Sequence, residues 1–316
     1  MTKAQQKAIV LLAIPWLAMP AFCATPEELG ASAPPSARPA ERQDVELREG
    51  GIIRGPTSSR RLAVVFTGHG YAEGGETILN ELTRHQGKGS FFFTGEFLTN
   101  ASFRPLIERI VREGHYLGPH SDKHVLYCPW EGPKTTLVTH SAFQADLESN
   151  LKKIERLGVK RAQIRYFLPP YEHYNQEIVD WSKAMGLAVV NYSPGTRSNA
   201  DYTGEADSNF VASKAIYDSI LRKEQQDPNG LNGFILLLHI GSGPGRTDKF
   251  SAGFGALLDY LAGKGYGFVR VDELLGAGRR TLDNKAARAV TPFPPSTGQP
   301  ALRLTPSHPS GTMPIE

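Results

Sequence analysis

The sequence predicts a parallel α/β protein, either a barrel or an open sheet, and three observations carry that reading. Short β-rich runs alternate with amphipathic stretches along the middle of the chain, the order expected of β–α–β crossovers. The amphipathic stretches repeat apolar residues at helical spacing, and several stop on glycine. The chemically unusual residues follow the carboxyl ends of the strands, where barrels and open sheets build their sites.

Taken in order, the predicted strands are 62–66 (LAVVF), 89–93 (GSFFF), 115–119 (HYLGP), 163–167 (QIRYF), 187–191 (LAVVN), 234–239 (FILLLH) and 266–271 (YGFVRV). Helical patterns lie between them in ETILNELTRHQ, FRPLIERIVREG, FQADLESNLKKIERLG, NQEIVDWSKAMG, NFVASKAIYDSILRKEQ and GFGALLDYLAGKG. The loops then carry TGHG after strand one, TGEF after two, HSDKH after three, LPPYEHYN after four and YSPGTRSNADY after five. His239 closes strand six.

The flanks read differently. Lys3 and Lys7 precede an apolar run and small residues at CAT, the layout of a signal peptide over 1–24 and hence of a periplasmic or secreted protein. That run is too short, and too broken by Pro15 and Pro20, for a good membrane span, so no integral span is expected after cleavage. Phe22 argues against lipid attachment at Cys23, since a lipoprotein signal places a small residue there. Residues 25–60 read as a Pro/Ala-rich linker, 61–276 as one catalytic domain and 277–316 as a Pro-rich tail. A net charge of +3 is too small and scattered to point to nucleic acid. Once Cys23 is discounted only Cys128 remains, which allows no disulfide framework.

Histidine is scarce, with nine in the chain, and four stand at strand ends: His69, His120, His124 and His239. A helical reading of HSDKH would put the rings of His120 and His124 on one face, although such a pair by chance is more often a solvated face or a cap. Three neutral histidines with an open position form a known zinc arrangement that acidifies bound water. Trp130, Tyr127 and Tyr174 could stack on sugar rings or belong to the core. Arg197 and Asp201 sit in a polar loop suited to a substrate rim or simply to the surface. GSGPGRTDKF, after His239, reads as a flexible lip.

These residues resemble the NodB-homology polysaccharide deacetylases, carbohydrate esterase family 4, from about Arg61 to Leu275. His120, Ser121 and His124 match its H-[ST]-x-x-H, Pro169, Pro170 and Tyr171 its R-P-P-Y, and Leu237 and His239 its final L-x-H. The resemblance implies a distorted (β/α)7 barrel and removal of acetyl groups from a polysaccharide or oligosaccharide. It also implies a divalent metal, zinc first, on His69, His120 and His124. Tyr171 would lend a backbone N–H to the oxyanion, and His239 would be the general acid. The family's T-F-D-D has become Phe66-Thr67-Gly68-His69, so Gly68 stands in place of the catalytic base and His69 in place of a carboxylate ligand. Leu168 replaces the motif's arginine, the usual partner of that base, so the pair is lost as a unit. Glu172 is then the first candidate for a relocated base, ahead of Glu73, Glu96, Asp122 and Asp201; its bland alternative is a helix N-terminal carboxylate. A binding protein that keeps the groove without hydrolysis, and a hydrolase of glycosidic bonds, stand as alternatives. The sugar and the oligomeric state are not legible.

Overall fold

The computed structural model describes residues 45–276. The expected signal peptide, the expected Pro-rich tail and the first part of the expected linker therefore lie outside the described residues. Its strands are β1 Glu46–Arg48, β2 Gly51–Arg54, β3 Arg61–Gly68, β4 Ser90–Phe93, β5 Tyr116–Pro119, β6 Tyr166–Phe167, β7 Ala188–Val189, β8 Ile235–His239 and β9 Gly267–Phe268. Its helices are α1 Gly75–Arg84, α2 Gly95–Thr99, α3 Arg104–Arg112, α4 His140–Glu155, α5 Gln176–Ala184, α6 Ser213–Gln226, α7 Phe254–Gly263 and α8 Val271–Leu275. Among the described residues no helix is long and apolar enough to cross a membrane.

The central strands run parallel in the order β5-β4-β3-β8, with β6 beside β7. A hydrogen bond from Leu168 N to Pro119 O links the β6 end to β5. The remaining gap is closed by β2, which bridges Ile52 to Val190 beside β7 and Arg54 to Phe234 beside β8. The result is a distorted β/α barrel of the NodB type. Both faces of its strands are covered, which explains runs that are apolar throughout: β3 is buried from Leu62 to Gly68.

Strand parity sorts the core into two layers. Ala63, Val65, Phe92, Leu168 and Leu237 fill the barrel, and Leu274 and Leu275 of α8 pack against this inner cluster. Leu62, Val64, Phe66, Phe91 and Phe93 face outward to the helices, meeting Ile78 and Leu82 of α1 and Ile107 and Ile110 of α3. Local signals fix the helix ends. Thr139 accepts from Ala142 N to start α4, Asn175 accepts from Ile178 N to start α5, and Gly114 follows α3 at φ 75°.

Three expectations need correction. Residues 45–60 are not linker: the β1–β2 hairpin lies there, and Ile52, Ile53 and Arg54 are buried. The buried Arg54 guanidinium is paired with Asp227 at 3.0 Å and donates to the carbonyls of Asn232 and Gly230. The last predicted strand ends early, because Val271 already begins α8. The supposed lip after His239 is pinned. Glu73 accepts from the backbone N–H of Ser242 and Gly243, and fully buried Arg246 donates to the carbonyls of Thr203, Val211 and Asp248.

Candidate active site at the carboxyl ends of the strands

HSDKH leaves β5 as a tight turn, not a helix, with Ser121 at φ 68° and His124 at φ 53°. Two non-glycine residues in the left-handed region cost free energy and need support from their surroundings. Helix α4 supplies it from one face. Asp146 accepts from the backbone N–H of Asp122 (2.8 Å) and Lys123 (3.0 Å), Asn150 donates to Ser121 O (2.8 Å) and Phe93 O (3.0 Å), and Lys153 pairs with Asp122 at 2.6 Å. The turn brings the two rings to 5.1 Å between centroids. Asp146, Asn150 and Lys153 escaped the sequence reading: their i, i+4, i+7 spacing marks one stripe, but α4 carries polar residues on most of its surface beside the apolar stripe of Phe143, Leu147, Leu151 and Ile154.

His120 is buried and donates from Nδ1 to Leu168 O at 2.7 Å, leaving the Nε2 lone pair free. Burial, with the neighbouring imidazoles, pulls its pKa down to about 3 and drives His124 well below the ordinary value. Both rings are thus neutral ligands in waiting. His69 is more open. Its Nδ1 meets Thr94 Oγ1 at 3.1 Å, its Nε2 lies 3.6 Å from exposed Glu96, and its ring stacks on His124 at 4.9 Å and 14°.

The donor chemistry of these three suits a divalent ion, but their orientation does not yet present three lone pairs to one point. Nearly parallel rings send their in-plane lone pairs along nearly parallel paths. Accordingly, among the described residues no group of three His, Cys, Asp or Glu side chains is placed to hold an ion. A turn of the His69 ring off His124 would be needed, and its side chain is 43% exposed and has room to make it.

Across the mouth, His239 at the end of β8 donates from Nδ1 to Asp201 Oδ1 at 2.7 Å, and its backbone N–H reaches Asp201 Oδ2 at 2.9 Å. Burial depresses His239, but the charge and hydrogen bond of Asp201 outweigh it, and the pKa ends above the ordinary value. Asp201 is buried, with both oxygens on His239, so it belongs to the histidine and not to a substrate rim.

Glu172 sits in a 3-10 turn with Tyr171, both in the left-handed region at φ 55° and 59°. Asn191 Nδ2 holds the turn by donating to Glu172 O at 2.7 Å. Burial pushes the Glu172 carboxyl up to about 7, with the His239 charge opposing and Asp201 adding to the rise. The helix-terminus alternative does not apply, since α5 begins later, at Gln176, and carries Glu177 in its first turn. Tyr171 stacks obliquely on His124 at 4.3 Å and meets Trp130 edge-on at 5.7 Å, and Trp130 stacks on His173 at 4.7 Å.

The other candidates disperse. Tyr174 is buried and donates to Arg48 O at 2.9 Å, which makes it the hairpin's anchor and not a sugar contact. Tyr127 and Cys128 are core, and burial raises the Cys128 thiol to about 11. Arg197 is exposed on the loop after β7, tied to α6 by its backbone N–H on Ser219 Oγ. Asp122 is occupied by Lys153, and Glu73 by the loop after β8. Gly68 has the parity of Val64 and Phe66. A Cβ there would come within 2.9 Å of Ile240 and Phe93, in the outer layer.

Comparison with known proteins agrees with this architecture. Residues 55–190 match the polysaccharide deacetylase family model. The chain is 28% identical, over 70% of its length and 73% of the relative's, to the peptidoglycan-N-acetylmuramic acid deacetylase PdaA of Bacillus subtilis. The crystal structure of that B. subtilis protein superposes with a TM-score of 0.56 at 23% identity, covering 72% of this chain and 85% of that one. A CE4-family pseudoenzyme from Bacillus anthracis superposes with a TM-score of 0.54 at 18% identity, covering 72% and 69%. Over residues 55–190 the chain is thus similar to the polysaccharide deacetylases, and it shares the fold of the solved B. subtilis relative.

Proposed function

We propose that this protein is an exported metal-dependent hydrolase that removes acetyl or related acyl groups from a polysaccharide, with Glu172 as the relocated base. The peptidoglycan deacetylase among its relatives makes a cell-wall glycan the first substrate to try. One observation carries the reading. A half-buried carboxyl, pushed up to about 7 by desolvation, shares the barrel mouth with a histidine held by Asp201 and with the His120–His124 pair.

A divalent ion, zinc first, on His69, His120 and His124 would supply Lewis acidity to the acyl carbonyl and to the attacking water. The chain's own groups do the rest. Near neutral pH Glu172 exchanges protons readily, so it takes one from water as the new C–O bond forms. The Tyr171 backbone N–H, fixed by its left-handed turn, donates to the developing oxyanion. His239, its protonated form favoured and its ring oriented by Asp201, gives its proton to the departing amine or alcohol, and the acyl group leaves as the free acid.

Acetate release from acetylated glycans, with products read by mass, tests this. We expect acyl loss without chain cleavage, abolition by chelator with recovery on adding zinc, and a loss of at least a hundredfold in Glu172→Gln. An unchanged rate in Glu172→Gln would remove the relocated base; binding without release would leave only a carbohydrate-binding role.

A further inference from the structure

We propose that Tyr71 is a second sugar-stacking platform, on the rim opposite Trp130, so that the glycan lies across the barrel mouth with units held on both sides of the reacting one. The inference rests on the glycan reading above. Most aromatic residues here are buried, yet Tyr71 is 51% exposed. A lone exposed side chain is ordinary. Its seat is not: a Cβ on Gly243 would lie only 2.5 to 2.8 Å from three atoms of the Tyr71 ring, so one ring face rests on bare backbone. Gly243 also sits at φ 71°, where glycine is favoured in any case.

The seat itself is fixed. Glu73, two residues beyond Tyr71, accepts from Ser242 N at 2.9 Å and Gly243 N at 2.8 Å, and Lys249 closes on the same oxygen at 2.6 Å. An aromatic ring immobilised on one face and open on the other loses little entropy when a ligand stacks on it. Position completes the case. Tyr71 is two residues past His69 and leans on the loop after β8, whereas Trp130 packs on the turn after β6. In the strand order β8-β3-β4-β5, continued by β6, those are the two ends of the arc that carries the histidines.

Calorimetric titration of the full-length protein with N-acetylchitohexaose and with peptide-free peptidoglycan strands tests the platform. We expect Tyr71→Ala and Trp130→Ala each to weaken binding about five- to tenfold, the double variant to lose the product of the two, and Tyr71→Phe to bind as wild type. Thermal melts of each variant establish folding. Wild-type affinity in a folded Tyr71→Ala, with the loss confined to Trp130→Ala, overturns the second platform and leaves the glycan reading standing. If the wild type binds neither probe, the glycan reading itself falls and takes the platform with it.

Discussion

Restoring an aspartate at Gly68 is the sharpest test of whether the base has moved. Built on the present backbone, a Cβ at residue 68 lies 2.9 Å from Ile240 Cγ2 and from Phe93 Cδ1. Ordinary contact between such atoms is roughly 3.5–4.0 Å, so both neighbours must retreat by about 0.6–1 Å. Both side chains are fully buried, with nowhere to go cheaply, and overpacking of this kind costs about 1–3 kcal/mol. A carboxylate adds the cost of burying polar atoms in an apolar layer, about 1–3 kcal/mol more. Leu168, buried in the barrel, stands in place of the arginine that would offset it. Gly68→Asp should therefore lower stability by roughly 2–6 kcal/mol, and Gly68→Ala by only the steric part, about 1–3 kcal/mol. Neither change should raise activity. Urea unfolding gives the first quantity and acetate release the second. A Gly68→Asp protein that is as stable as wild type and turns over faster would show that residue 68 can still direct a carboxylate at the site, and would refute the account.

Other outcomes follow from the same geometry. The folded-state pKa of Glu172 is raised above its unfolded value of 4.5, so the native state loses stability as pH climbs from there through about 7. Relative to wild type, Glu172→Gln should be equally stable at pH 4 and more stable at pH 8, by at most about 3 kcal/mol; an equal difference at both pH values would contradict this. Asp146→Ala removes the acceptor of two backbone N–H groups in the His120–His124 turn. It should weaken zinc binding about ten- to a hundredfold with the fold retained, read by competition with a chromogenic chelator. Tyr174→Phe deletes one buried hydrogen bond to Arg48 O and should cost about 1 kcal/mol of stability while turnover stays at the wild-type level.

Much of the barrel was legible because strands covered on both faces must be apolar at every position, and residues 62–68 or 235–238 offer no other reading. The hairpin was not. All three residues of β1 are exposed, and β2 is four residues long with an arginine whose partner, Asp227, lies far along the chain. The histidines were found by residue type and position, but their meeting depends on left-handed backbone at Ser121 and His124, for which sequence carries no signal without glycine. Tyr174 and Asp201 were misplaced for a related reason: a tyrosine or aspartate in a loop looks the same whether it faces a sugar or a buried partner. Only the fold supplies Arg48 O to the one and His239 to the other.

The strand that seals the barrel comes from the beginning of the described chain and finds its neighbours near the end. Until Val190 and Phe234 are in place, β2 can pair only with β1 in its own hairpin, and β7 and β8 lack the neighbour that β2 provides. Late closure of this kind gives many non-local contacts and slow folding, with exposed strand edges in the meantime. Under the proposed export the delay would work in the chain's favour, because passage across a membrane in an extended state requires that the barrel stay open. It also sets a minimum for any expressed fragment: one beginning at residue 55, where the family match begins, omits the closing strand. Such a fragment would carry His69, His120, His124 and His239 on a sheet that cannot shut.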